Sequence, residues 1–542
     1  MFDTAGYDVF DFQTQSNYIE HSMQDELKLI LQEQLKRNTM NRPPTLGELK
    51  KSGYKVQSVK DELRANLIRK LHSHETLFPG IIGYDKTVIP ALINAILAKH
   101  DLILLGLRGQ AKSRIIRSLP SLLDEFIPIV KGSEISDDPF RPVSKYAVDL
   151  VNEMGDETPI EWLHREQRYG EKLATPDVTI ADLIGDIDPI KAAAKRLHYS
   201  HEGAIHFGII PRCNRGIFAI NELPDLQPRI QVGLFNILEE KDIQIRGFIV
   251  RIPMDIMLVF TANPEDYTNR GNIITPLKDR IDSQILTHYP RSLEEAISIT
   301  EQEAHIQRDG REIRVPYFFK EIIEQIAFEA RKSEFVDQKS GVSARLTIAA
   351  MENLVSNAER RAIMLGENVI LPRICDLPHV LPGMTGKVEL VFEGEQEGSV
   401  KVSKALVGKA VRETFKKYFP DPLRKRPVRQ QGGEGGRQQT EDAEYGRITQ
   451  WFESGNKIEI ADDMPHESYF RELDKVKGLR EVTKKHMSDV DEKYELPSVM
   501  EFVLDGLHQN SKIAKDEVDH VTSYKDMVGS IFSGPGRGFE ED

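Results

Sequence analysis

The sequence contains only two cysteines, Cys213 and Cys375, among its 542 residues. Two thiols exclude a disulfide framework and a four-thiolate zinc site, and they are typical of reduced cysteines in the cytosol. No apolar run reaches the ~18 residues that a membrane-spanning helix needs. The first residues, Met1 to Asp3, carry an acid where a secretory signal needs positive charge. These absences predict a cytoplasmic protein without a membrane segment.

Excess positive charge is also missing, since 72 Lys and Arg face 86 Asp and Glu for a net charge of −14. Neutralisation of phosphates dominates nucleic-acid affinity, so an acidic chain is a poor default nucleic-acid binder. The hydrophobic fraction of 39% and the charged fraction of 29% are those of an ordinary globular protein. A chain of this length predicts about three or four domains.

The strongest signal in the sequence is the run GLRGQAKS at residues 106–113. It follows a short apolar run and precedes a helical pattern, and strand, glycine turn and helix open an α/β nucleotide-binding domain. The P-loop pattern is Gly, four residues, Gly, Lys and Ser or Thr. Here Ala111 takes the second glycine position, where a positive φ costs energy.

Such a loop wraps a phosphate chain with its backbone N–H groups, which predicts ATP and Mg²⁺ as ligands. We expect Lys112 to reach the β- and γ-phosphates and the Ser113 hydroxyl to ligate Mg²⁺. The residues predicted to bind the nucleotide are Gly106, Gly109, Gln110, Ala111, Lys112, Ser113 and Arg114.

Two later apolar runs end in polar side chains. The first, GIFAI at 216–220, leads to Asn221 and Glu222, and the second, IMLVFT at 256–261, leads to Asn263. P-loop ATPases carry an Asp-Glu pair at the first place, where the Asp holds the Mg²⁺ shell and the Glu polarises the attacking water. Asn221 can hydrogen-bond a metal-bound water but brings no charge, so aspartate there is expected to raise, or at least not lower, hydrolysis. Glu222 is the expected base, and Asn263 is expected to orient the water.

The order of these motifs resembles that of AAA+ ATPases, and the segments between them resemble the ATPase subunit of magnesium chelatase and its MoxR-like relatives. The resemblance covers roughly residues 75–385. The segments that carry it read FPGIIG (78–83), LIGDID (183–188), FGIIP (207–211), NRGI (214–217), NEL (221–223), NPE (263–265) and PLKDR (276–280).

The resemblance implies an α/β ATPase domain with a parallel sheet, a helical lid, and a ring, commonly a hexamer, with ATP bound between subunits. It implies that Arg280 completes the neighbouring subunit's site and that Arg345 contributes from the lid. An ordinary surface ion pair and an ordinary helix-opening arginine remain the alternatives. The family often carries a hairpin insertion, for which residues 186–210 are the candidate. His198, His201 and His206 lie there or nearby, and surface histidines explain them better than a metal site.

Composition and periodicity divide the rest of the chain. Residues 24–36 form an amphipathic stripe, residues 387–404 alternate like a strand, and residues 421–442 are rich in Pro, Gly, Gln and Arg. The predicted domains are a helical extension (1–75), the AAA+ P-loop domain (76–290), a helical lid (291–385), a strand-containing segment (386–420), a flexible linker (421–442) and a separate C-terminal helical module (443–542).

The function expected from this resemblance is an ATP-hydrolysing motor that remodels a protein partner or assists metal insertion. Related ATPases often act with a separate partner that carries a von Willebrand-type domain, so such a partner is expected here. A nucleotide-gated scaffold with little hydrolysis remains an alternative because of Asn221. An AAA+ transcription regulator is the other alternative, although the promoter-contact motif GAFTGA and a helix-turn-helix pattern are absent.

Overall fold

The computed structural model of the chain describes residues 42–194, 202–245, 251–263, 272–308, 310–423, 444–518 and 520–527. The predicted stripe at 24–36 and most of the predicted linker at 421–442 lie outside these residues. No helix among the described residues is long and apolar enough to cross a membrane.

A five-stranded parallel sheet forms the centre of the first half of the chain. With strands numbered in chain order, its members are β1 (Leu102–Leu105), β4 (Tyr169–Leu173), β7 (Gly216–Asn221), β10 (Ile256–Ala262) and β11 (Ser283–Leu286). They lie in the order β11-β1-β10-β7-β4, and every neighbouring pair is parallel. This arrangement, followed by a helical region, confirms the predicted α/β fold class.

Both faces of the sheet are covered, as the unbroken apolar runs of β1, β7 and β10 require. Successive side chains of these strands enter two separate cores, with Ala219 on one face and Phe218 on the other. Helices Val59–His72, Val88–Leu97 and Lys112–Ser118 cover the first face. Shorter helices cover the second, namely Ile180–Leu183, Ile209–Arg212, Pro228–Gly233, Phe235–Glu239 and Thr275–Arg280.

Three antiparallel ribbons interrupt the α/β order. They are β2 (Phe126–Val130) with β3 (Ile160–His164), β5 (Gly185–Ile187) with β6 (Ile205–Phe207), and β8 (Asp242–Gln244) with β9 (Arg251–Pro253). The pair of β5 and β6 lies at the predicted hairpin insertion and confirms an antiparallel pair there, although residues 195–201 lie outside the described residues. Helix Leu46–Lys51 precedes the sheet domain, and helices Lys145–Met154 and Pro189–Ala194 lie in the ribbon connections.

The second half of the chain is mainly helical. Two short parallel strands, β12 (Glu312–Ile313) and β13 (Val369–Ile370), pair within it. An antiparallel sheet near the C-terminus consists of β14 (Ile458–Ala461), β15 (Ala514–Val518) and β16 (Val521–Lys525), with β16 in the middle. The helices are Leu293–Glu303, Tyr317–Ala330, Arg345–Leu365, Leu381–Thr385, Phe392–Glu397, Ser399–Tyr418, Gly446–Glu453, His466–Asp474, Leu479–His486 and Leu496–Gln509.

The strand-like interpretation of residues 387–404 is wrong, because most of this stretch is helical. The apparent alternation of Val400 and Val402 does not place both on one face, since Val400 is 54% exposed and Val402 is 5% exposed. Val402, Leu406 and Ala410 instead follow a four-residue spacing and enter the core together, which is the period of a helix.

The C-terminal region is neither a separate module nor entirely helical. Its side chains join those of the lid in one continuous hydrophobic core. A β-carbon on Gly506 would meet the Phe415 ring at 2.1 Å, so glycine allows helices Leu496–Gln509 and Ser399–Tyr418 to approach closely. The buried Glu501 carboxylate accepts hydrogen bonds from the Ile374 N–H at 3.0 Å and the Tyr469 hydroxyl at 2.6 Å. These contacts make the two regions one folded unit.

Candidate nucleotide site

The polar ends of three strands meet at one edge of the sheet. Leu105, the last residue of β1, pairs with Ala262 of β10, and Phe260 pairs with Ile220 of β7. Because the strands are parallel, the P-loop after β1, the Asn221–Glu222 pair at the end of β7 and Asn263 after β10 lie side by side. This is the carboxyl edge, where open α/β sheets bind ligands.

The P-loop has the backbone shape that its glycines predict. Gly109 has a φ of +73°, and Ala111 has a φ of 54° in the left-handed region. A β-carbon on Gly106 would lie 1.9 Å from Thr287 Oγ1, so only glycine fits there. The Thr287 hydroxyl in turn donates to Gln110 Oε1 at 2.7 Å. The Gln110 side chain therefore braces the loop against the end of β11, while its backbone remains part of the loop.

A chain of hydrogen bonds joins the three strand ends. Lys112 Nζ donates to Asn263 Oδ1 at 2.6 Å, and Asn263 Nδ2 donates to Glu222 Oε2 at 2.7 Å. Lys112 also donates to the carbonyl oxygens of Gly106 and Leu107. Three neutral oxygens thus accept hydrogen bonds from the ammonium group over the loop. Phosphate oxygens could replace these acceptors and would bind the charge more strongly.

Glu222 has an unusual backbone conformation for a residue with a side chain. Its φ of 56° lies in the left-handed region, and its N–H donates to Thr261 Oγ1 at 3.0 Å. Such conformations cost of order 1–3 kcal/mol and cluster at functional sites. The carboxylate is turned toward Asn263, as a base at this edge requires.

Asn221 contacts a residue that the sequence motifs did not indicate. Its Nδ2 donates to Glu171 Oε1 of β4 at 2.5 Å, and its Oδ1 accepts from the Thr261 hydroxyl at 3.2 Å. Arg117 holds the Glu171 carboxylate with two hydrogen bonds of 2.8 and 2.9 Å, and the bond from Arg117 chiefly lowers the pKa of Glu171. Strand β4 reads YGEKL and has no apolar run, so no pattern in the sequence identified it.

Of the remaining P-loop residues, Ser113 is exposed in the first turn of helix Lys112–Ser118, as an Mg²⁺ ligand must be. Arg114, expected to bind the nucleotide, forms an ion pair with Glu303 of the lid. A β-carbon on Gly80 would lie 2.8 Å from Arg114 Nη2. The Arg114 side chain therefore joins the lid to the segment that precedes the sheet.

The start of the lid helix Arg345–Leu365 lies against the P-loop. A β-carbon on Gly109 would meet Ser343 Oγ at 2.0 Å, and one on Gly341 would meet Leu107 Cδ1 at 2.8 Å. Arg345, the first residue of that helix, is exposed. Its backbone N–H donates to Ser343 Oγ at 3.2 Å.

Arg280 forms intrachain contacts at the end of helix Thr275–Arg280. Its Nε donates to Glu239 Oε2 at 2.7 Å, its Nη1 donates to the Pro276 carbonyl at 2.9 Å, and its guanidinium lies 4.6 Å from the Phe235 ring centroid. These contacts fit the alternative of a surface ion pair. They also leave the side chain at the surface, where a second subunit could meet it.

The polar side chains at the sheet edge are suitable for binding a magnesium nucleotide. Mg²⁺ in such sites keeps several waters and takes few protein ligands besides the substrate phosphates. The Ser113 hydroxyl and the Asn221 amide would hold the ion and its waters, and Lys112 would face the phosphates. No group of three or more His, Cys, Asp or Glu in the described residues could form a metal cage of its own.

Comparisons with known proteins give structural matches only. No protein-family model matches the chain. No curated protein matches it either. A chain from a structure of the BchI–BchD complex of magnesium chelatase matches with 20% identity and a TM-score of 0.32. The match covers 59% of this chain and 98% of that chain. A Cytophaga hutchinsonii protein described as a candidate ATPase matches with 15% identity and a TM-score of 0.27, over 66% and 97%.

A mutant of RuvB from Thermotoga maritima matches with 12% identity and a TM-score of 0.29, over 66% of this chain and 75% of that one. Matches at this level of identity and TM-score do not assign the chain to a family. Its own strand order and motif positions carry the fold assignment.

Proposed function

We propose that this chain binds ATP with Mg²⁺ and hydrolyses it as an AAA+ motor. The observation that supports this best is the hydrogen-bonded chain from Lys112 through Asn263 to Glu222. It joins a phosphate-binding cation to a carboxylate base through an amide, and the three groups come from three different strand ends. Hydrolysis of a phosphoanhydride needs these parts within reach of one γ-phosphate and one water.

The hydrolysis step follows from the roles of these residues. Lys112 would neutralise charge on the β- and γ-phosphates, and Ser113 would hold the magnesium ion. Glu222 would take a proton from the attacking water, which Asn263 would orient between the carboxylate and the γ-phosphate. Catalysis of this kind depends on positioning and on charge stabilisation rather than on covalent chemistry.

The test is the rate of phosphate release from ATP by purified protein, with nucleotide binding measured by calorimetry. Lys112→Ala should abolish ATP binding, because the loop loses its main cation. Glu222→Gln should bind ATP almost normally and lose hydrolysis, because the residue acts on water. Unchanged nucleotide affinity in Lys112→Ala would refute the P-loop assignment, and unchanged hydrolysis in Glu222→Gln would remove that residue as the base.

The finer role that we propose is remodelling of a protein partner or assistance in metal insertion, by a homo-oligomeric ring, commonly a hexamer. The support is the resemblance of residues 75–385 to the magnesium-chelatase and MoxR-like branch. Arg280 would complete the site of a neighbouring subunit, and Arg345 would be contributed to the site by the lid. Light scattering with and without ATP tests the ring, and co-purification with a von Willebrand-type protein tests the partner.

A further inference from the structure

Asn221 and Glu171 form a pair that replaces the aspartate expected at the end of β7. Leu173 of β4 pairs with Asn221 of β7, so Glu171 lies two residues before the end of the neighbouring strand, with its carboxylate reaching the Asn221 amide. Asn221 is buried, and Glu171 is 19% exposed at its side chain. A largely buried carboxylate–amide contact of 2.5 Å is a charge-assisted hydrogen bond and is worth more than a neutral one.

The donors around Glu171 determine how the Asn221 amide is turned. Arg117 Nε and the Tyr169 hydroxyl donate to Glu171 Oε2, while Arg117 Nη2 and Asn221 Nδ2 donate to Oε1. An ionised carboxylate has about four lone-pair sites and no proton. Glu171 is therefore saturated with donors and can only face the nitrogen of Asn221, which directs the amide oxygen the other way.

The oxygen of Asn221 keeps one acceptor site for a ligand. Oδ1 accepts from the Thr261 hydroxyl, and Thr261 Oγ1 in turn accepts from the Glu222 N–H. An amide oxygen has two lone pairs, so one remains after the bond from Thr261. A magnesium-bound water donates hydrogen bonds, so an oriented amide oxygen is a suitable partner for it.

We propose that Glu171 is a positioning residue for Mg²⁺. It holds the Asn221 amide so that its oxygen faces the ion's water shell, and it keeps the carboxylate charge of this site on β4 instead of β7. This inference rests on the proposed function. It reverses the sequence-based expectation for aspartate at position 221, because that substitution places a carboxylate oxygen where the amide nitrogen lies 2.5 Å from Glu171.

The test is a charge swap between the two strands. Binding of a non-hydrolysable ATP analogue is measured by calorimetry in EDTA and in excess Mg²⁺. The dissociation constant in EDTA divided by that in Mg²⁺ measures how much the ion strengthens binding. Glu171→Gln and Asn221→Asp should each lower this ratio by about 10- to 100-fold, as expected for loss of a hydrogen bond to a charged group. The double variant should recover most of the ratio, since the amide introduced on β4 can donate to the carboxylate introduced on β7.

Controls separate the possible failures. Glu161→Gln on the exposed side of β3 and Asn152→Asp on helix Lys145–Met154 change the same charges away from the site and should leave the ratio unchanged. If wild-type protein fails to bind the analogue, the proposed function falls and this inference with it. If it binds with a normal magnesium effect but the double variant is no better than Glu171→Gln, only the positioning role is wrong. The comparison of the double variant with Glu171→Gln tests the positioning role even if Asn221→Asp alone does not fold.

Discussion

Asn263 is the residue whose replacement best tests the hydrogen-bonded chain. In Asn263→Asp the oxygen that accepts from Lys112 is kept, at 2.6 Å, while the donor that faces Glu222 at 2.7 Å becomes a second acceptor. At an effective dielectric constant of 20, attraction to the lysine and repulsion from the glutamate are each about 6 kcal/mol. The two terms nearly cancel, so the cost of burying the new charge at a position that is 7% exposed remains, and the protein should be less stable than wild type.

ATP binding and hydrolysis should both be impaired, because the attraction acts on Lys112 and the repulsion acts on Glu222. The aspartate competes with phosphate for Lys112, so ATP affinity should fall, and Glu222 loses the donor that orients it. Loss of one hydrogen bond to a charged group is worth about 1.5–3 kcal/mol, which predicts a fall of about 10- to 100-fold in kcat. In Asn263→Ala the same fall in kcat is expected, but ATP affinity should stay within a few-fold of wild type.

The assay combines calorimetry with phosphate release for both variants, and thermal unfolding checks the fold. Asn152→Asp serves as the control for an asparagine-to-aspartate change at an exposed position. The reasoning is refuted if the two Asn263 variants bind ATP equally well, because then Lys112 does not sense the side chain at 263. Wild-type kcat in Asn263→Asp would show that the amide does not orient Glu222.

Three further predictions concern other parts of the chain. Arg280→Ala should bind ATP and fail to hydrolyse it, and mixing with Lys112→Ala should restore part of the activity; Glu239→Gln, which removes only the ion-pair partner, should stay active, and absence of rescue in intact rings would contradict the trans role. Ala111→Gly should raise the free energy of unfolding by about 1 kcal/mol at a φ of 54°, and a lower melting temperature would contradict this. Burial raises the pKa of Glu501 from 4.5 to about 7, so the favourable contribution of this group to the free energy of unfolding is complete below pH 4.5 and is lost as pH rises through 7. Glu501→Gln should remove roughly 3 kcal/mol of this pH dependence. Parallel curves of unfolding free energy against pH for the two proteins would refute the prediction.

The features that sequence reasoning predicted are local patterns. The P-loop, the Asn221–Glu222 pair and Asn263 each follow a continuous apolar run, and parallel strands bring such ends to one edge of a sheet. The positive φ at Ala111 follows from its place in the loop. The antiparallel pair of the insertion was predicted from family resemblance, and β5 and β6 confirm it.

The features that it missed depend on contacts between distant residues. Glu171 precedes Asn221 by 50 positions and contacts it from the neighbouring strand. The sequence of β4 does not distinguish this strand from an exposed loop. The alternation of Val388, Leu390 and Phe392, and later of Val400 and Val402, looked like a strand because runs of two or three residues are too short to distinguish a period of two from one of four. The C-terminal region looked separate because its hydrophobic residues were judged without the lid helices that complete their core.

Whether the site hydrolyses ATP or only binds it depends on residues outside the P-loop. A scaffold that assembles on ATP needs Lys112 and the loop, but it has no use for a carboxylate held in a costly backbone conformation beside them. Glu222 has that conformation, and hydrogen bonds from its own N–H to Thr261 and from Asn263 to its side chain support it. Asn221, which favoured the scaffold when considered alone, has a charged partner in Glu171. The arrangement supports the hydrolysis that we propose, and Glu222→Gln is the variant in which a motor and a scaffold must differ.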